Sequence, residues 1–163
     1  MAANPPSFRE YGFQVVGERL AVLLSHAEGV RRAEDIEALH DMRVASRRLR
    51  AALSLFRDAF PPGPFRRFDA EVKAITDALG EARDLDVMIE TLEKIEKGMD
   101  ESERSGLHSF LERKRRRRAR LQRDIVAALD RVEVVDLPRR LAAMCIVVPQ
   151  PAAPTSAPEP TEA

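Results

Sequence analysis

Apolar residues recur at three- and four-residue steps along most of the chain. From Phe8 to about Val30, Phe13, Val16, Leu20, Leu23, Leu24 and Ala27 follow this spacing behind Ser7, a residue suited to an N-cap, and predict a first helix. A second helix is expected from a cap at Asp35 to Phe60, where Pro61, Pro62 and Gly63 stop it. In its body Met42, Ala45, Leu49, Ala52, Leu53 and Phe56 fall within roughly 100° of one another on a helical wheel, the stripe of a core-facing helix. Pro64 suits the first position of a third helix through Phe65, Phe68, Val72, Ile75 and Leu79. Gly80 predicts a break, and Asp84 and Asp86 then open a fourth helix to about Lys97. Asp100 or Ser102 caps a fifth, from about Glu103 to Val132, with Leu107, Phe110, Leu111, Leu121, Ile125, Ala128, Leu129 and Val132 on one stripe, and a short helix follows over 136–146. The expected organisation is a flexible lead-in over 1–7, one helical bundle over 8–146, and a disordered Pro/Ala-rich tail over 147–163.

The polar positions carry a second pattern. With His40 at 0° on the second helix, Arg43, Arg47, Arg50 and Arg57 fall at about 300°, 340°, 280° and 260°, a basic stripe beside the apolar one. Like charges a turn apart repel by a few tenths of a kcal/mol each, and no acid is interleaved, so an anion is the natural occupant of this face. On the fifth helix Lys114 and Arg118 interrupt the apolar stripe, which requires a wet cavity, a partner or an opening to solvent. Arg113, Arg115, Arg116, Arg117 and Arg120 spread round that helix and read individually as a solvated face.

Composition narrows the picture. Aromatic residues make up 5% of the chain, Trp is absent, and Ala, Leu, Arg and Glu dominate, which favours an all-α fold. Lys plus Arg equals Asp plus Glu at 27 each, so attraction to a polyanion depends on charge segregation. Segregation is present: acids outnumber bases nine to three over 81–103, whereas 104–123 holds nine bases and one acid. The single Cys145 excludes an internal disulfide and a cysteine-built zinc site. The N-terminus lacks a secretion-signal pattern, and the longest apolar run, Leu141 to Val148, is too short for a bilayer, so no membrane partner and a cytoplasmic location are expected.

The stretches LHDMRVASRRLRAALSLFRDAF and LGEARDLDVMIETL resemble the CHAD family, the conserved histidine α-helical domain. Its motifs run His-x-x-Arg-Val-x-x-Arg-Arg-Leu-Arg and Leu-Gly-x-x-Arg-Asp-Leu-Asp-Val, in this order and with the proline-marked break between them, and the resemblance covers Phe8 to about Leu141. It implies an antiparallel helical bundle whose basic residues line a cleft for inorganic polyphosphate. The first motif falls on His40, Arg43, Arg47, Arg48 and Arg50, and the second on Arg83. Arg48 lies off the stripe and ranks below the others; it is expected to pair with Asp84 or Asp86. The resemblance further implies that this chain corresponds to the first of two such bundles, which either pairs with another copy, as a homodimer completing the two-fold, or with a partner, or else is a truncated product that folds poorly.

The expected function is therefore polyphosphate binding without catalysis, at His40, Arg43, Arg47, Arg50, Arg83, Lys114 and Arg118. Association with polyphosphate granules in the cytoplasm goes with it. The His40-Asp41 dipeptide is of a kind seen in metal phosphohydrolases, yet His26 and His108 have no acids at ligand spacing, so no catalytic residue, metal or cofactor is assigned. Arginine stripes also track nucleic-acid backbones, but the few aromatics sit on core stripes, which counts against nucleic acid as partner. A purely structural helical protein, its arginines neutralised by the 81–103 acids, is the remaining alternative.

Overall fold

The computed structural model describes residues 6–33 and 36–146. The tail over 147–163, the Asp35 cap and most of the N-terminal lead-in lie outside the described residues. Six α-helices lie among the described residues: α1 Phe8–Ser25, α2 Ala27–Arg32, α3 Ile36–Leu55, α4 Pro62–Lys97, α5 Glu101–Val135 and α6 Leu137–Ile146. No strand occurs among the described residues, and the protein is an all-α bundle.

Ser7 starts α1 with a reciprocal capping box: its hydroxyl accepts from the Glu10 amide, and the Glu10 carboxylate accepts from the Ser7 amide at 2.7 Å. These bonds hold the Glu10 carboxyl below its usual range. The first predicted helix is in fact two, because the chain pauses at His26, whose amide turns back to Leu23 at 3.3 Å before α2 begins.

The second predicted helix ends early. At Phe56 (φ −100°, ψ 17°) the chain leaves α geometry and passes through a 3-10 turn over Arg57–Ala59. Aromatic packing accounts for this. The Phe56 ring lies 5.2 Å from Phe8 and 5.9 Å from Tyr11 between ring centroids, and a Cβ on Gly12 would come within 2.8 Å of it, so only glycine admits this approach. Phe60 then meets Phe13 at 4.7 Å and Phe65 at 5.5 Å. Arg57 is thereby removed from the α3 stripe.

The predicted break at Gly80 is also absent, since α4 runs unbroken from Pro62 to Lys97. Pro61 is its N-cap and Pro62 its first residue, where no amide hydrogen is needed. An interior glycine costs roughly 1 kcal/mol, less than the burial of Leu79, Ala82 and Leu85 on either side contributes.

α1 packs on α3, α3 on α4 and α4 on α5, while α6 lies across α1, α4 and α5, and α2 touches α3 and α5. Each consecutive pair is antiparallel, as the end of α3 meeting the start of α1 and the Arg50–Asp69 and Glu96–His108 contacts require. The core joins Val16, Leu20 and Leu23 to Met42, Leu49 and Leu53, to Phe68, Val72, Ile75 and Leu79, and to Ile125, Leu129, Leu137 and Met144. Beyond it Leu85, Leu111 and Leu121 are buried apart from the main cluster. There α4 and α5 continue as an arm, with α4 extending about 21 Å past the first turn of α3.

Candidate anion-binding site

Arg50 on α3 and Asp69 on α4 form a pair at 3.7 Å, both one-third exposed, which fixes the register of the two helices. Stepping seven residues along each in opposite senses sets Arg43 level with Thr76, and Arg83 level with the first turn of α3, one turn from His40. The antiparallel register therefore brings the arginine of the second motif to the histidine end of the first. His40, Arg43, Arg50 and Arg83 are half-buried and Arg47 is exposed.

Among the described residues none of His40, Arg43, Arg47 and Arg83 forms a salt bridge. Nδ1 of His40 is buried without a hydrogen-bond partner. Ser46, fully buried on α3, is satisfied locally, its hydroxyl donating to the Arg43 carbonyl at 2.8 Å. Glu90, seven residues past Arg83, is held below the usual carboxylate range by the hydrogen bond from Lys94 and, in smaller part, by the Arg83 charge.

The remaining sequence candidates go elsewhere. Arg48 is exposed on the α1 side of α3, beside Val15, Arg19 and Leu55, and the expected link to Asp86 does not form. Asp86 instead accepts from Arg118 Nε at 2.7 Å, with the two side chains only 10% and 18% exposed. Arg118 also donates to Gln122 at 3.1 Å, and Gln122 donates to the Val30 carbonyl at 2.6 Å. The arginine on the apolar stripe thus has a partner and joins α5 to both α4 and α2. Oδ2 of Asp86 is buried without a partner. Lys114 sits one turn further out, its ammonium 4.8 Å from the Phe110 ring centroid. Register puts it about 16 Å along the bundle axis from His40, so the structure does not bring Lys114 into the group around His40.

The oppositely charged segments meet across the α4–α5 hairpin. Arg115 donates to Glu93 at 2.6 Å and to Glu112 at 2.7 Å, and Arg117 bonds Glu81. The bond from Arg115 is the main reason the Glu112 carboxyl lies below its usual range. Sequence reading missed these pairs, although the sign reversal between 81–103 and 104–123 is their signal. A cavity of about 810 Å³ at the arm tip is lined by Glu93, Glu96, Glu101, Arg104, His108 and Arg115. Its mixed signs give no preference for an anion. Among the described residues no group of three His, Cys, Asp or Glu side chains could hold a metal ion, and no helix is long and apolar enough to cross a membrane.

Fold and site together define an all-helical protein with a His/Arg face spanning two antiparallel helices, on which His40, Arg43, Arg47 and Arg83 form no salt bridge among the described residues. The chain belongs to the CHAD family: the family model described as CHAD domain matches residues 14–163, which extends the likeness past the expected limit near Leu141. Among curated proteins and solved structures nothing matches.

Proposed function

We propose that this protein binds inorganic polyphosphate along the α3–α4 face through His40, Arg43, Arg47 and Arg83, with Arg50 joining when its hold on Asp69 is released, and that it does so without catalysis. The observation that carries the reading is the convergence of these four groups from two helices with, among the described residues, no salt bridge to neutralise them. Guanidinium groups grip phosphate oxygens in bidentate, charge-assisted bonds, and a row of them at turn spacing suits a linear chain of phosphates. Membership of the CHAD family supports the same ligand. Groups spread from Arg50 to Arg83 along the face let one polymer follow it, where isolated phosphate would meet only one or two of them.

Isothermal titration with polyphosphate at several salt concentrations is the test. Affinity should fall steeply with salt, because each neutralised phosphate releases counterions. Replacing Arg43 and Arg47 together by Ala should weaken binding by about 3 to 6 kcal/mol, from roughly 1.5 to 3 for each charged hydrogen bond, with helicity by circular dichroism unchanged. Binding that ignores both salt and these substitutions would overturn the reading.

A further inference from the structure

Seven of the nine bases between Arg104 and Arg123 fall into two sets once α5 is in place, and Arg131 further along joins the second. Arg115, Arg117 and Arg118 turn toward α4 or its flank and are engaged by acids there. With the buried Leu111 at 0° on the helical wheel, Arg113, Arg116, Arg120, Arg123 and Arg131 fall at about 200°, 140°, 180°, 120° and 200°, an arc of about 80° directed away from the core. All five are exposed, and none forms a salt bridge among the described residues. Arg113 additionally stands 5.5 Å from the Phe110 ring centroid. The acids nearest this ridge are largely occupied: Glu112 by Arg115, and Asp130 and Glu133 by Arg31 at 3.2 and 2.8 Å, with Asp124 alone left at its edge. A protein of zero net charge thus carries five guanidinium groups without a salt bridge among the described residues along about 27 Å of one helix.

We propose that the outward face of α5 is a second polyanion site, separate from the α3–α4 face, and that its ligand is the phosphate backbone of duplex DNA, bound without regard to sequence. Shape favours a duplex. The face is a convex ridge, and a helix 10–12 Å across fits a B-form major groove about 12 Å wide, with arginines fanned to reach phosphates on both sides. A flexible single chain would touch such a ridge from one side only, and the major groove of A-form RNA is too narrow to admit it. Insertion into a membrane surface needs an apolar face beside the basic one, whereas the apolar face of α5 is buried in the bundle. Ala127 lies on the same arc, at about 160°, with no hydrogen-bonding side chain, and duplex phosphates need no stacking aromatics. The scarcity of aromatics that counts against single strands is therefore no obstacle here.

The test is fluorescence anisotropy of a labelled duplex of arbitrary sequence, two helical turns long, titrated with the full chain over a range of salt. The intact protein should bind, with log K falling linearly in log salt. Arg116→Glu with Arg120→Glu, both fully outward positions, should weaken duplex binding by at least about tenfold and reduce the salt slope by about 2. The same variant should keep its polyphosphate affinity, and Arg43→Ala with Arg47→Ala should show the converse. Arg123→Ala with Arg131→Ala is the second variant, should charge reversal disturb folding. Absence of duplex binding by the intact protein at low salt would overturn the proposal. So would binding that survives both α5 variants, or that is lost only with the α3 variant. None of these results touches polyphosphate binding at His40, which is read in the separate titration.

Discussion

Asp69 occupies the Arg50 guanidinium as a phosphate would, and so competes with any anion for that end of the groove. At 3.7 Å and one-third exposure the pair is weak, worth about 0.2 to 1 kcal/mol. Asp69→Asn should therefore tighten polyphosphate binding by up to about fivefold, read by titration at fixed salt; an unchanged affinity would place Arg50 outside the site. The Arg118–Asp86 pair is a different case, because both side chains are nearly buried and Asp86 already has one oxygen unpartnered. Arg118→Ala leaves a buried carboxylate without its cation and should cost about 3 kcal/mol or more in urea unfolding. Arg118→Met with Asp86→Leu should restore most of that loss. Retained polyphosphate affinity in the folded single variant would separate this arginine, which locks helices together, from those that bind.

At the level of elements, the continuity of α4 matters most, because it delivers Arg83 to His40 and carries Asp86 on to the arm. Gly80 contributes nothing to this: a Cβ there would meet no atom within 4 Å, and the backbone is helical. Gly80→Ala should accordingly stabilise the protein by about 0.5 to 1 kcal/mol, seen as a raised urea midpoint at constant m-value. A loss of stability would mean that α4 needs a hinge there. The shortening of α3 has the opposite sense. Its last predicted turn is given up so that Phe56 can pack over Gly12, and the basic stripe ends with Arg50 instead of Arg57.

For the whole molecule, the proposed α3–α4 site would contact a polymer from one side only, leaving phosphates on the far side free for a second copy. Two such faces brought together without ligand repel, and with a polyanion between them both are satisfied. Association should therefore be weak in the free protein and strengthened by polyphosphate, through linkage between binding and assembly. Sedimentation velocity with and without chains long enough to fill one groove is the measurement. A complex that keeps the mass of one copy at every protein-to-polymer ratio would rule the dimer out.

The sequence by itself determined the all-α class and the composition of the His40–Arg50 stripe, because a 3.6-residue period sorts side chains onto faces before any tertiary contact exists. It also marked Ser7 as a cap and the prolines at 61, 62 and 64 as a boundary, since both act within one turn of chain. Tertiary structure alone decided where Lys114 and Arg118 stand. The helical period already set Arg48 about 200° from Arg50, but only packing decided that one faces α1 and the other α4. Arg118 was legible as an anomaly on an apolar stripe, but its partner Asp86 lies 32 residues away and becomes a neighbour only through hairpin register. The same register overrode Gly80, because the local preference of one glycine is smaller than the burial of the residues flanking it. Which arginines are neutralised, and which remain for an anion, was settled by the packing of one helix against the next.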